Sequence, residues 1–333
     1  MSRSVARAMT VVYFVHSLTQ FSPRLWRTLG HPYVMVSADD AARDPQRAVQ
    51  LLRGLNVIVD SGGYRLISRG RLPSPEEVLE VQRTLADEVG AEPVALDTPV
   101  PHPLRAGDAD FRAANEATAR NARLWARVFG DHFIYPLHAH TPGQLRDALQ
   151  RLRQAAPTVE AVGLGSLAPL ARHRPAQALR LIAYARSMID KRIHVFGAGN
   201  SLLAALVLHR LADTADTSSP LQDARYGLAR HPKTLAMTLT APRRAQGRPR
   251  AEPHEIAAKC SCPVCRTEPE ALAEWGRRGL LARTVHNAYQ LLEVLEDPEK
   301  AAKLLARRPQ LAAALAETRP GRGSVAAGLP GKA

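Results

Sequence analysis

A chain of 333 residues, 45% hydrophobic and 23% charged, is long enough to bury a large core and has the composition of a soluble globular protein, which excludes a fibrous or low-complexity chain. Forty-five Lys and Arg against 31 Asp and Glu leave a formal charge of +14. This suits attraction to a polyanion, although arginine-rich codon usage gives the same excess and 5% aromatic residues leave few stacking platforms. No apolar run approaches the roughly 18 residues of a membrane span.

The start, MSRSVARAMTVVYFVHS, places basic residues before a short apolar run. The run VVYFV is strand-length and no small-residue cleavage site follows, so it reads as a first strand and not as a secretory signal. Further β-branched runs follow at 33–36, 57–59, 94–96, 133–137, 159–162, 193–196 and, more weakly, 211–216. Amphipathic segments such as PEEVLEVQRTLADEVG, ANEATARNARLWARVFG and PGQLRDALQRLRQAA lie between them. This alternation predicts an α/β fold, a (β/α)8 TIM-like barrel over residues 1–235, with a doubly wound open sheet as the rival. The barrel is favoured because Asp60, Asp97, His138, Gly165, Gly197 and Asp216 each fall at or just beyond the C-terminal end of a run, the face on which barrel enzymes assemble their sites.

Residues 236–300 read as a Pro- and Arg-rich connection leading to a small zinc-binding module packed on the barrel, and TRPGRGSVAAGLPGKA, residues 318–333, reads as a disordered tail. Cys260, Cys262 and Cys265 form C-x-C-x-x-C, and His286 follows on a predicted helix. Three thiolates and an imidazole complete the closed tetrahedral shell of a structural Zn2+, with His254 as the alternative fourth ligand. All three cysteines are clustered there, so no disulfide framework is expected and a cytoplasmic location follows.

The stretch NVIVDSGGY ends an apolar strand in Asp60, Ser61, Gly62 and Gly63, and PVALDTPVP repeats the pattern at Asp97. Asp213 and Asp216, in RLADTADTSSPLQDARYG, supply a third carboxylate position. Three carboxylates at one barrel mouth are costly unless they meet a cationic or proton-donating ligand or one of them acts as a nucleophile. Pairing with Arg65 or Arg225 is the ordinary alternative for any one of them.

In this order, VDSGGY, ALDTPVP, GLGSLAP, HVFGAGN with ADTADTSS, and the CxCxxC with a helical His resemble the tRNA-guanine transglycosylase superfamily. The resemblance spans roughly residues 11–295 and is nearer the archaeal branch than the bacterial queuine enzymes. It implies a pentosyltransferase that removes guanine from C1′ of a polynucleotide and inserts a 7-deazaguanine through a covalent aspartyl intermediate, with retention of configuration. It further implies that Asp216 is the nucleophile, with Asp213 as second choice, and that Asp60 handles the proton on the purine. Ser61, Gly62, Gly63, Tyr64 and Gly197 would lie against the base, Asp97 would read its N1 and exocyclic amine, and Gly165 and Ser166 would donate backbone N–H groups to O6.

Two positions depart from the family pattern: Arg65 stands where most members have Gln, and His138 or His140 replaces a base-reading Gln. Archaeal members acting on tRNA carry further C-terminal domains, for which the chain after His286 is too short, so tRNA and DNA both remain open as substrates. Arg243, Arg244, Arg248 and Arg250 are candidate phosphate contacts, with a solvated basic loop as the alternative. The target nucleotide must be unpaired or flipped to reach a barrel mouth. A homodimer is possible. The competing readings are an N-glycoside hydrolase acting on nucleic acid and a non-catalytic nucleic-acid-binding barrel.

Overall fold

The computed structural model of the chain describes residues 10–18, 24–63, 73–241 and 249–318. Eight parallel strands run in chain order as β1 (Val11–His16), β2 (Tyr33–Ser37), β3 (Asn56–Asp60), β4 (Glu92–Pro93), β5 (Ile134–His138), β6 (Ala161–Gly165), β7 (Arg192–Val195) and β8 (Thr214–Thr217). They are ordered β4-β3-β2-β1-β8-β7-β6-β5, and a parallel bridge between Val94 and Ile134 joins the two outer strands. The sheet is therefore a nearly closed TIM-like (β/α)8 barrel. Each run expected from the sequence is present. The fourth strand lies just before the expected 94–96, of which only Val94 makes a bridge, and the sixth and eighth extend further toward the mouth than 159–162 and 211–216.

The barrel has two apolar layers because side chains alternate along each strand. Val12, Phe14, Val34, Val36, Val57, Val59, Val162 and Val195 face outward into the main core with the helices. Tyr13, Met35, Ile58, Val94, Ile134 and Ala161 form a separate cluster inside the barrel. The same parity puts Asp60, His138, Gly165, His194 and Asp216 on inward positions. The registers Ser37↔Asp60, His138↔Gly165 and Tyr13↔Asp216 bring them toward one end. Buried Gln82, on the helix Pro75–Val89, donates to the carbonyls of Val59 and Val94 at 2.9 and 2.8 Å and so ties the short β4 to its neighbour.

The connection after Tyr226 is more ordered than its lapse in periodicity suggested. Leu228–Arg230 (β9) and Met237–Leu239 (β10) form an antiparallel hairpin, and Arg250 bridges to Leu239. A division at residue 235 would fall inside that hairpin. The long helix Arg277–Glu296 packs on the helix Ser219–Arg225 that follows β8. Buried Arg283 fastens it by donating to the carbonyls of Ala224, Leu272 and Glu274. Helices Pro298–Ala306 and Pro309–Thr318 then lie against the barrel helices Asn200–His209 and Pro175–Met188. Thr318, expected to open a disordered tail, is instead the last residue of a helix, and the rest of that segment lies outside the described residues. Among the described residues, no helix is long and apolar enough to cross a membrane.

Candidate active site and metal centre

Asp60 closes β3 on the inward face, and the backbone turns sharply after it. Gly62 adopts a left-handed φ of +80°, and its N–H donates to Asp60 Oδ2 at 3.2 Å. The neighbouring Ser61 donates its hydroxyl to Asp97 Oδ1 at 3.1 Å. A Cβ at residue 63 would overlap the Asp97 carboxylate, so Gly63 is what allows the segments after β3 and β4 to touch. Burial, followed by the negative charges of Asp97 and Asp216, raises the Asp60 carboxyl from 3.8 to about 7. Asp97 and Asp216 thus both act on Asp60, whose carboxyl keeps its proton well above the usual carboxylate range.

Asp216 projects from β8 and is 5% exposed. Its Oδ1 accepts the Gly197 N–H at 3.0 Å and lies 3.2 Å from His194 Nε2. His194 Nδ1 lies 2.9 Å from the Thr214 hydroxyl. A carboxylate only accepts, so His194 carries its proton on Nε2 and accepts the Thr214 O–H at Nδ1. Both donors reach the same oxygen. Among the described residues no donor meets Asp216 Oδ2, so one oxygen is anchored and the other is open.

His194 was quoted within HVFGAGN but given no role. The signal available in the sequence was its alternation with Phe196, which marks an inward position one strand away from Asp216.

His138 ends β5 with its backbone N–H and carbonyl both bonded to Asn115, at 3.0 and 2.8 Å. Its Nδ1 lies 2.9 Å from the Ser166 hydroxyl and its Nε2 lies 3.4 Å from Asp97 Oδ2. Gly165 is required beside it, because a Cβ there would come within 2.9 Å of the imidazole Nδ1. His140 donates from Nε2 to the Ser166 carbonyl at 2.7 Å. Ser166 is left-handed at φ 59°, an uncommon conformation for a residue with a side chain. Two imidazoles therefore hold it, one through its hydroxyl and one through its carbonyl. Burial lowers the pKa of both His138 and His140.

Asp213 is not brought to the mouth. It precedes β8, at the opposite end of the barrel, where its Oδ2 accepts from Arg186 at 2.8 and 3.1 Å and from the Ile193 N–H at 2.8 Å. The reason is geometric: three residues along a strand span about 10 Å, so Asp213 and Asp216 cannot share one face of the barrel. Arg225 is exposed and bonds to Gln222, not to a mouth carboxylate. Arg250 is exposed on the hairpin extension. Tyr64, Arg65, Arg243, Arg244 and Arg248 lie outside the described residues.

Cys260, Cys262, Cys265 and His286 converge, so the fourth member is His286 and not His254. The three sulfurs lie 3.6, 3.6 and 3.4 Å from His286 Nδ1. A tetrahedral ion with sulfur at about 2.3 Å and nitrogen at about 2.0 Å separates those ligands by about 3.5 Å, so the cluster could hold a metal ion such as zinc. His286 Nε2 donates to the Arg230 carbonyl at 2.8 Å, which leaves Nδ1 as the bare nitrogen facing the thiols. Gln290 and the Cys262 and Cys265 N–H groups donate to the sulfurs, as thiolates require.

No protein-family model matches the chain. Three archaeal proteins, each named tRNA-guanine(15) transglycosylase, are similar to it. That of Aeropyrum pernix is 29% identical over 247 residues, 70% of this chain and 43% of the relative. That of Haloferax volcanii is 25% identical over 232 residues, 67% of this chain and 40% of the relative. That of Pyrococcus furiosus is 27% identical over 259 residues, 74% of this chain and 40% of the relative. The chain thus spans well under half the length of these curated relatives. These three relatives, at 25–29% identity over 67–74% of this chain, support its resemblance to the transglycosylase superfamily.

Proposed function

We propose that this protein exchanges guanine for a 7-deazaguanine in a polynucleotide, with tRNA as the first substrate to test because the relatives are named for it. In this reading, Asp216 Oδ2 attacks C1′ of an extruded nucleotide. The C1′–N9 bond breaks, its electron pair goes to N9, and the departing guanine takes a proton from the Asp60 carboxyl. The incoming base returns a proton to Asp60 and attacks C1′ through the corresponding ring nitrogen. This displaces the Asp216 carboxylate and, after two inversions, retains configuration. The observation that carries the reading is the asymmetry of Asp216, anchored through Oδ1 and open at Oδ2, beside an acid that keeps its proton to about pH 7.

Asp97 would read the donor edge of a guanine-like base, with His138 and Ser61 setting the direction of its oxygens. Ser166, fixed by two histidines, would meet the carbonyl edge. The Cys3His cluster would hold a structural zinc ion, which would fix the segment 260–265 to the helix Arg277–Glu296 and take no part in the exchange.

Incubating the zinc-loaded protein with radiolabelled guanine and separate tRNA and DNA pools is the test. Label is expected in tRNA. Label in DNA alone would move the substrate, released guanine with an abasic product would show hydrolysis, and no label with tight binding would leave a binding module. Metal content of about one zinc per chain is expected on elemental measurement.

A further inference from the structure

Beside the mouth, between the loops after β6, β7 and β8 and the C-terminal helices, lies a cleft of about 1020 Å3. It starts at Gly197, whose N–H holds the Asp216 carboxylate, and at Ser219, and runs outward past the hairpin to the helix Pro298–Ala306. Its volume is at the top of the range of small-molecule sites, about 300–1,000 Å3, and is more than a single base needs.

The wall of this cleft contains a buried guanidinium. Arg230, on β9, is 3% exposed. Its Nη1 donates to the Leu235 carbonyl at 3.0 Å, while its buried Nε has no partner among the described residues. Among the described residues, no carboxylate lies at ion-pair distance from it. Asp223, whose charge acts on it from further away, accepts a hydrogen bond from Asn200 at 3.2 Å. Burial lowers the Arg230 pKa to about 10. A buried cation without a counter-charge is costly, and an anion from outside the chain would relieve it. Exposed Arg172, Arg307 and Arg308 line the same cleft, as does Tyr226, a large aromatic ring that is 61% exposed. The Arg230 backbone is fixed to the helix that carries the metal centre, its N–H donating to Asn287 Oδ1 and its carbonyl accepting from His286 Nε2, while the Leu235 carbonyl holds the guanidinium.

We propose that this cleft seats the polynucleotide segment next to the exchanged nucleotide, with a phosphodiester bound to Arg230, further phosphates met by Arg172, Arg307 and Arg308, and a base stacked on Tyr226. The inference rests on the base-exchange reading for the identity of the polymer. Its ligand chemistry, a phosphodiester beside a base, is common to RNA and DNA. Phosphate contacts of this kind give affinity and orientation with little sequence choice.

The test uses the full zinc-loaded chain and two fluorescent stem-loops, one RNA and one DNA, each with an unpaired guanine, titrated at several salt concentrations. Arg230→Met is expected to bind the preferred stem-loop about tenfold more weakly, with the slope of log K against log salt shallower by about 0.7–0.9. Its melting temperature should be level or higher, since an uncompensated buried charge is gone. Arg307→Ala paired with Arg308→Ala on the surface should weaken binding and flatten the slope in the same direction, independently of any folding defect at Arg230. Unchanged affinity and slope in both variants, or no binding of either stem-loop by the wild type, overturns the proposal. Guanine exchange with Arg230-independent binding would remove the anchor and leave the base-exchange reading standing. Arg230-dependent binding without exchange would do the reverse.

Discussion

The two ends of the barrel treat acidic side chains in opposite ways. At the N-terminal end, Asp213 accepts from the Arg186 guanidinium and Glu92 pairs with Arg192 across the interior. At the C-terminal end, Asp60, Asp97 and Asp216 meet backbone N–H groups, a hydroxyl, imidazoles and one another, and among the described residues no Lys or Arg stands at ion-pair distance from them. Charge neutralised within the chain holds strands together. Charge kept open adds to burial in raising the pKa of Asp60 and gains a partner only when something enters. Asp213 and Asp216, three positions apart, show the two conditions on a single strand.

The comparison breaks first at Asp216. Asp216→Asn keeps the size and the Gly197 bond but removes the oxygen proposed as the nucleophile, so the proposed guanine exchange should fall at least about 10^3-fold and a trapped covalent complex with substrate should not form. Exchange at the wild-type rate in this variant would return Asp216 to a structural role.

Asp60 comes next, and its effect has a pH signature. Its carboxyl is raised from 3.8 to about 7, so the proton donor is present at pH 6 and lost as pH rises through about 7. The rate of base release should show that alkaline limb. Asp60→Asn should cost about 10^2–10^4-fold, and the limb should disappear from the residual rate. For stability the sign is that of a raised acid. The contribution is complete below 3.8, is lost as pH climbs through about 7, and is absent above. The melting temperature of Asp60→Asn relative to the wild type should therefore climb across that window and level off beyond it. A flat difference would mean that Asp60 is ionised like any surface carboxylate.

His194 should matter less, because it acts through Asp216 and does not touch the substrate. His194→Gln, which can still donate, should retain more exchange than His194→Phe, and the latter should lose about 10^2-fold in kcat with KM little changed. Equal losses in the two variants would point to packing against Tyr13 and Phe196, its ring neighbours, and not to the donated bond.

How far the sequence carried this picture follows from the range of each signal. The barrel was legible because eight β-branched runs and intervening amphipathic segments are local patterns. The metal cluster was legible because three of its ligands lie within six residues, and even the distant His286 lies on a strongly helical segment. His194 was missed because its importance lies in a contact across two strands, with Asp216 Oδ1, that no local pattern encodes. Gly63 is expected from the sequence to lie against a base and Gly165 to donate its N–H to one, whereas each makes room for a side chain, Asp97 and His138. The cleft was invisible because it is shared by barrel loops, the hairpin and two helices that the sequence left unassigned.

The smallest expected effect is at Asp213, and it sharpens the contrast most directly. Asp213→Asn preserves the shape of the side chain and an oxygen for the Ile193 N–H, but takes the counter-charge from Arg186, whose side chain is 9% exposed. A charge-assisted bond of this kind contributes about 1–3 kcal/mol, so the melting temperature should drop by a few degrees. Guanine exchange per folded molecule should stay within about twofold of the wild type, because β8 carries Asp216 toward the mouth and Asp213 away from it. If exchange fell with stability unchanged, Asp213 would have to act at the mouth, and the division between the two ends of the barrel would be wrong for this strand.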